Sequence, residues 1–415
     1  MGTRVIIYSG KGGTGKTTIS AATASLIASK GKMVLIMSSD PAHSLSDVIG
    51  QPISRDEVTQ LAPNLFGLEV DTVYEMRKSM SGFQRFMTNA YEGRGVESSV
   101  AAELSNQPGM DEILALNRLM VEYQSNKWDV IIVDTAPTGN TLRLLAYPEM
   151  IIGGTTGKNF FKVYRGFSNF VRPFRQSSPD DEFFKEVNKL MDMMNSLSSF
   201  IVNDDVTIRL VLNPEKLPVM ETKRAYTFLS LYGIRLDAII VNKILPREKQ
   251  LGAYFDYWVE LQAKYLQEIE DSFNPMPIFR SIMEDGEPIG VGKLAPVADK
   301  LFAETDSSNK LYDQPLIWVE DIPNSGKGTT GVQRRLCVHL PFIDDHDELY
   351  ITHTGTEVNV TAGRVQRAVS LPRILLHSEL LNFYYEEGTL IMEFVEQPEE
   401  EITWTDDPFF AGSRI

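Results

Sequence analysis

The segment Gly10-Lys-Gly-Gly-Thr-Gly-Lys-Thr17 constrains this chain more than any other. It fits the pattern G-x-x-x-x-G-K-[ST], and it stands between the apolar run Val5–Tyr8 and the helix-like stretch Thr17–Lys30. Strand, glycine-rich turn and helix in that order make a phosphate cradle. Glycines let backbone N–H groups turn inward around phosphate oxygens, and the helix N-terminus adds partial positive charge. In such a loop Lys16 reaches the outer phosphates and the Thr17 hydroxyl can ligate Mg²⁺. The expected nucleotide contacts are Gly12, Gly13, Thr14, Gly15, Lys16, Thr17 and Thr18.

The rest of the pattern agrees with that loop. Apolar runs recur at Val34–Met37, Phe66–Val70, Val130–Val133, Ile208–Leu212 and Ala238–Val241. Near-continuous rather than alternating hydrophobicity marks strands buried on both faces, and helical stretches such as Met220–Tyr232 lie between them. The expected fold is α/β: a P-loop NTPase with a mainly parallel sheet over residues 1–303. Two helical inserts interrupt it, at about 72–127 and 150–205. Both are rich in Met and Phe, among them Met76, Met80, Phe83, Phe86, Met87, Phe160, Phe161, Met191, Met193, Met194 and Phe200. Residues 304–331 are polar and read as a linker carrying a strand or two. From 332 to 397 the period changes to two, which predicts a small antiparallel β-sandwich with turns at Gly355, Gly363 and Gly388. Residues 398–415 form an acidic tail.

Two acids complete the candidate site. Asp40 follows the second strand in Ser39-Asp-Pro-Ala-His-Ser-Leu-Ser-Asp47, where ligands collect in open α/β sheets, and it can hold or polarise an attacking water. His43 reads as a hydrogen-bonding loop residue. Asp134 ends the strand Val130–Asp134, the arrangement that places a carboxylate near Mg²⁺ directly or through water. A second lysine-containing stretch, Ser325-Gly-Lys-Gly-Thr-Thr-Gly331, lacks the motif's first glycine and its flanking strand and helix, and reads as a loop.

Composition removes several function classes. A formal net charge of −16 opposes nucleic-acid partners and anionic lipid. Cys337 is the single cysteine, so neither a disulfide within the chain nor a CxxC zinc site can form. No apolar run approaches the ~20 residues a membrane span requires. The first strand begins by Arg4, so no targeting segment is expected ahead of it, and the expected compartment is the cytoplasm. The plastid stroma would require a transit peptide already removed.

A lysine directly after the first glycine, Lys11, resembles the deviant Walker A of dimeric P-loop ATPases. Together Lys11–Thr18, Asp40–Asp47 and Asp134-Thr-Ala-Pro-Thr-Gly-Asn-Thr-Leu-Arg-Leu-Leu145 resemble the arsenite-pump, or anion-transporting, ATPase family. That family includes the eukaryotic targeting factor for tail-anchored membrane proteins, and the resemblance covers about residues 3–301. It implies ATP, Mg²⁺ and a homodimer. It makes Asp40 the catalytic aspartate and Lys11 a residue that crosses to the partner's nucleotide. It assigns Asn213-Pro-Glu215 and Val241-Asn242 to the nucleotide's ribose and base, through Glu215 and Asn242. Residues 363–372 and 385–390 resemble the α-crystallin domain of small heat-shock proteins. The combination looks like a branch of the targeting-factor family found in cyanobacteria and plastids. The arsenite pump's metalloid-binding cysteines and the eukaryotic factor's zinc clip are both absent, and Asn140 stands where the family usually has histidine.

The resulting expectation is an ATP-driven dimer whose inserts offer a Met- and Phe-lined groove to an apolar client helix, with contact to membranes only indirect. The competing reading of those Met and Phe residues is ordinary core. The basic, aromatic run Lys158–Arg175 has the same ambiguity between a lipid-facing and a solvated helix face. The alternatives for the whole chain are an arsenite-efflux ATPase subunit and a nucleotide-dependent scaffold of the partition type.

Overall fold

In the computed structural model, residues 2–40, 44–79, 110–135, 180–247, 252–322, 333–343, 349–363 and 365–396 are described. The element order begins β1 (Arg4–Ser9), α1 (Lys16–Ser29), β2 (Val34–Ser38), α2 (Ser44–Ile49), β3 (Thr59–Ala62), β4 (Leu65–Glu69), α3 (Thr72–Ser79) and α4 (Met110–Gln124). It continues with β5 (Val130–Asp134), α5 (Asp180–Ile201), β6 (Val206–Leu212), α6 (Lys216–Leu231), β7 (Leu236–Ile244), α7 (Ala253–Phe273), β8 (Ile278–Ile282) and α8 (Val291–Phe302).

These strands form an eight-stranded sheet in the order β3-β4-β2-β5-β1-β6-β7-β8. Every pairing is parallel except β3 with β4. The central strands are buried residue by residue, which is why their sequences carry no alternation. The apolar runs read from sequence are β1, β2, β4, β5, β6 and β7. The edge strands β3 and β8 escaped that reading because they are only partly covered, and their composition, Thr-Gln-Leu-Ala and Ile-Phe-Arg-Ser-Ile, is mixed. α1 is built from Ala, Ser and Ile and is buried along nearly its whole length. Its small residues let it lie close against the sheet, with Leu294, Val297, Ala298, Leu301 and Phe302 of α8 in the same core cluster.

The described parts of both inserts are helical. Met76 and Leu114 pack together with Leu190 and Met193 beside them, and Met194 and Phe200 are buried. For these residues the core reading is the one the packing supports. Met80, Phe83, Phe86, Met87, Phe160, Phe161 and the run Lys158–Arg175 lie outside the described residues.

The chain divides into two compact units, Met1–Leu316 with His339–Asp344, and Ile317–Val338 with Asp345–Ile415. The described part of the polar stretch, 304–322, carries buried residues and a strand. Ser307 and Ser308 are buried in the first unit, because their neighbourhood satisfies a buried arginine described below. Ile317–Asp321 is the strand β9. The second unit adds β10 (Gln333–His339), β11 (Leu349–Thr354), β12 (Glu357–Ala362), β13 (Val365–Ser370), β14 (Ser378–Glu386) and β15 (Thr389–Glu396). They make two antiparallel sheets, ordered β14-β15-β10-β9 and β11-β12-β13. Alternate residues turn inward, including Leu336, Val338, Val358, Val360, Leu390, Met392 and Phe394, and the His353 ring meets Phe394 edge-on. The acidic tail lies outside the described residues.

Candidate functional site

The tips of β1, β2 and β5 are level, since Asp134 pairs in register with both Tyr8 and Ser38. That alignment brings the loop after β1, the acid ending β5 and the turn after β2 to one edge of the sheet. Thr135 fixes the junction by donating its N–H and its hydroxyl to Tyr8 O at 3.3 and 2.9 Å.

Two glycines of the loop are sterically required. Gly10 has φ +146°, and a Cβ there would stand 2.1 Å from the carbonyl oxygen of Val211 in β6. Gly15 has φ +90°, and a Cβ there would stand 2.4 Å from the Asn242 side-chain nitrogen. Gly15 is also the N-cap of α1, and neither a side-chain cap nor a first-turn acid occupies that helix end. Unpaired N–H groups and the positive end of the helix therefore face the loop, which suits an anion.

Around this cradle the polar groups converge. Thr14 is buried and donates its hydroxyl to Lys11 O at 2.9 Å. The Lys16 ammonium donates to the same oxygen at 3.3 Å. Burial lowers the Lys16 pKa, against the pull of the Asp134 and Asp40 carboxylates. The Thr17 hydroxyl donates to Asp134 Oδ2 at 2.7 Å, with the Ser44 hydroxyl 3.3 Å away. Asp134 is fully buried, and its Oδ1 has no hydrogen-bond partner among the described residues. Burial pushes its pKa up to about 7, although the Thr17 hydroxyl and the Lys16 charge act in the opposite direction. Asp40 is close enough to act on both Lys16 and Asp134, and its backbone N–H donates to the Ser38 hydroxyl at 3.2 Å. Gly12 and Gly13 are exposed at the loop's crest, and Thr18 is half-buried on the first turn of α1.

Lys11, Asn242 and Glu215 are the remaining expected residues. The Lys11 ammonium forms an ion pair with Glu221 of α6 at 3.2 Å, on its own chain. The Asn242 amide nitrogen donates to Thr14 O at 2.8 Å, so that group grips the loop. Glu215 is exposed at the start of α6 and does not cap it with its side chain. The buried side-chain oxygen of nearby Asn213 has no partner among the described residues. His43, Asn140 and the turn Ala136–Gly139 lie outside the described residues.

Sequence reasoning missed Lys243, whose ammonium donates to Gly13 O at 2.7 Å, and Glu221, the partner of Lys11. Position beside Asn242 was the signal available for Lys243. Nothing local marks Glu221. Among the described residues no group of three or more His, Cys, Asp or Glu side chains is placed to hold a metal, and no helix is long and apolar enough to cross a membrane.

Comparison with known proteins agrees with this geometry. Residues 3–303 match the family model described as an anion-transporting ATPase, and residues 331–394 match an HSP20-like domain found in ArsA. A putative arsenical pump-driving ATPase of Prosthecochloris vibrioformis is 34% identical over 381 residues, covering 89% of this chain and 90% of that protein. ATPase ASNA1 homolog 1 of Paramecium tetraurelia is 30% identical over 308 residues, covering 71% and 91%. The ATPase get3 of Aspergillus terreus is 29% identical over 306 residues, covering 72% and 90%.

Proposed function

The chain belongs to the anion-transporting ATPase family, and from that premise we propose that it works as a homodimer, coupling turnover of Mg-ATP to the binding and release of a hydrophobic client. The observation that carries the choice of client over metalloid is Cys337. It is the single cysteine of the chain, it is buried in β10, and burial pushes its thiol up to about 11. A soft metalloid site needs several accessible thiolates, and one inert thiol cannot supply them.

The donor set fits Mg²⁺. Thr17 Oγ1 and Asp134 Oδ1 and Oδ2 are hard oxygen donors, and Asp134 Oδ1 is a buried acceptor that no described residue satisfies. A bound Mg²⁺ would neutralise charge on the phosphate oxygens. Lys16, a buried residue, supplies a fixed positive charge at the outer phosphates. Asp40 is the group that holds the attacking water and takes its proton. Lys11 supplies a cation to the second copy's nucleotide. Its present partner, Glu221, is an exposed residue, and such a pair contributes ~1 kcal/mol or less, so it exchanges readily.

The test is steady-state hydrolysis together with oligomeric state, with nucleotide, for the unmodified chain, Asp40→Asn and Lys11→Ala. Asp40→Asn should bind ATP and dimerise yet hydrolyse on the order of 10²–10⁴-fold more slowly, the usual contribution of a general base. Lys11→Ala should slow turnover without loosening nucleotide on its own protomer. Wild-type rates in both variants would remove these roles. The slow Asp40→Asn dimer should retain an apolar helix in an ATP-dependent way. Turnover stimulated by arsenite instead would favour the efflux alternative.

A further inference from the structure

Two consecutive residues at the end of β7 hold two consecutive carbonyls of the phosphate loop. Asn242 Nδ2 donates to Thr14 O at 2.8 Å, and Lys243 Nζ donates to Gly13 O at 2.7 Å. Neighbouring side chains on a regular strand point to opposite faces, so both cannot reach one loop without a break in the strand. The break is present. Lys243 has φ +58°, in the left-handed region that a lysine rarely occupies. The β7–β8 register shifts between Val241 and Ile244. α7 braces the irregularity, since the Gln262 side chain accepts from Leu245 N at 2.9 Å and donates to Lys243 O at 3.4 Å. Backbone conformations of this kind persist where the surroundings over-determine them, and they collect at ligand sites.

We infer that Lys243 is a positioning residue for the nucleotide's phosphates, acting through the Gly13 carbonyl; the inference rests on the ATPase reading of the loop. In a trans peptide the C=O and the following N–H point in opposite directions. Holding Gly13 O outward turns Thr14 N–H toward the cradle, and holding Thr14 O does the same for Gly15 N–H. Thr14 N–H is only loosely engaged at present, 3.5 Å from Lys11 O, and is available to a better acceptor. The Lys243 ammonium also adds a positive charge beside a loop whose ligand is an anion. The contacts from α7 to β7 to the loop make the cradle's shape depend on the end of β7 as well as on the glycines.

The experiment measures ADP affinity, pyrophosphate affinity by competition, and steady-state kcat and KM for the full chain and for Lys243→Ala, Lys243→Arg and Lys243→Gly. Lys243 is exposed, so none of these opens a cavity. Lys243→Ala should weaken ADP and pyrophosphate by the same factor, about tenfold or more for loss of a charge-assisted hydrogen bond, and raise KM with kcat little changed. Lys243→Arg should recover most of the affinity. Lys243→Gly should raise the thermal midpoint in the absence of nucleotide, because it relieves the left-handed residue, while binding ADP as weakly as the alanine variant. A lysine with only a structural role would not separate stability from affinity in this way. Wild-type ADP affinity in Lys243→Ala overturns the inference. So does a loss for ADP that pyrophosphate does not share, which would place Lys243 on the nucleoside, and so does a fall in kcat at constant KM. An unmodified chain that bound no ADP would instead overturn the nucleotide site itself.

Discussion

His339 ends β10 with its ring closed into a neutral hydrogen-bond circuit. Gln314 Nε2 is 3.1 Å from Nδ1, and Nε2 is 3.2 Å from the Tyr226 hydroxyl. The Gln314 Oε1 is held by Tyr312 at 2.8 Å, so its amide presents an N–H to the ring, and Nδ1 must accept. Burial lowers the His339 pKa to about 4. An unfolded histidine titrates near 6.5, so between about pH 6.5 and 4 the unfolded chain takes up a proton that the folded chain refuses. The contribution is fully present above that window and is lost as pH falls through it. Urea unfolding of the first unit should therefore lose on the order of 2 kcal/mol between pH 7 and pH 5 from this group alone. His339→Gln should flatten the pH dependence by that amount, and parallel slopes in the two proteins would contradict the assignment. At this scale the legible residues were those whose chemistry fixes a local spacing, from Gly10 to Thr17, with Asp40 and Asp134 following strands. Lys243 and Glu221 were not legible, because they meet the loop from 230 and 210 residues away. No local pattern encodes such a meeting.

Strands buried on both faces announced themselves by unbroken apolar runs, but β6 hides an exception inside one. Arg209 is fully buried in the middle of that strand. It donates to Asp237 of β7 at 3.0 Å, to the Tyr8 hydroxyl of β1 at 3.3 Å, and to the carbonyls of Ser307 and Asn309 at 2.9 and 3.1 Å. Asp237 also accepts from Arg4 at 3.0 Å. One ion pair thus links three strands to the chain that follows α8. Removing only this cation leaves the buried Asp237 carboxylate with Arg4 alone to balance it. Arg209→Met should cost about 3–5 kcal/mol in denaturant unfolding, whereas Arg209→Met with Asp237→Leu should recover much of that loss. A double variant no better than the single would mean that the carbonyls of Ser307 and Asn309, or the Arg4 guanidinium left without Asp237, set the cost. The pattern-based reading took this strand as a near-continuous apolar run and gave Arg209 no role. The edge strands β3 and β8 failed it for the complementary reason, since a half-covered strand keeps neither an unbroken run nor a clean alternation.

The first unit is not continuous in sequence. After Leu316 the chain leaves the ATPase unit, makes β9 and β10, returns at His339, and then leaves again for the remaining strands. The return segment is built into the first unit. His339 N donates to Leu316 O at 2.8 Å, and Pro341 O accepts from the Thr227 hydroxyl. The Phe342 ring meets Phe273 edge-on at 5.3 Å and Tyr226 at 6.2 Å, with the Lys223 ammonium 5.6 Å from its centre. A change of periodicity near residue 332 signals a new domain but cannot signal a return, because six residues contributed to a neighbouring core carry no period of their own. A chain ended at residue 316 should therefore not behave as an intact ATPase unit. It would expose the Tyr226 and Phe273 rings and take away the His339 partners of the Leu316 carbonyl and the Gln314 Nε2. Its thermal midpoint should fall several degrees below the same transition in the full chain, on the scale of 2–4 °C per kcal/mol expected for a unit of this size. Phe342→Ala in the full chain separates the return segment from the rest of the deleted residues. Truncating a half-buried aromatic should cost about 1–3 kcal/mol, below the range for a fully buried one, and should reproduce a good part of the truncation's shift. Equal midpoints for the truncated and full chains, with ADP affinity preserved in both, would show that the returning residues add no stability and that the ATPase unit is complete at Leu316.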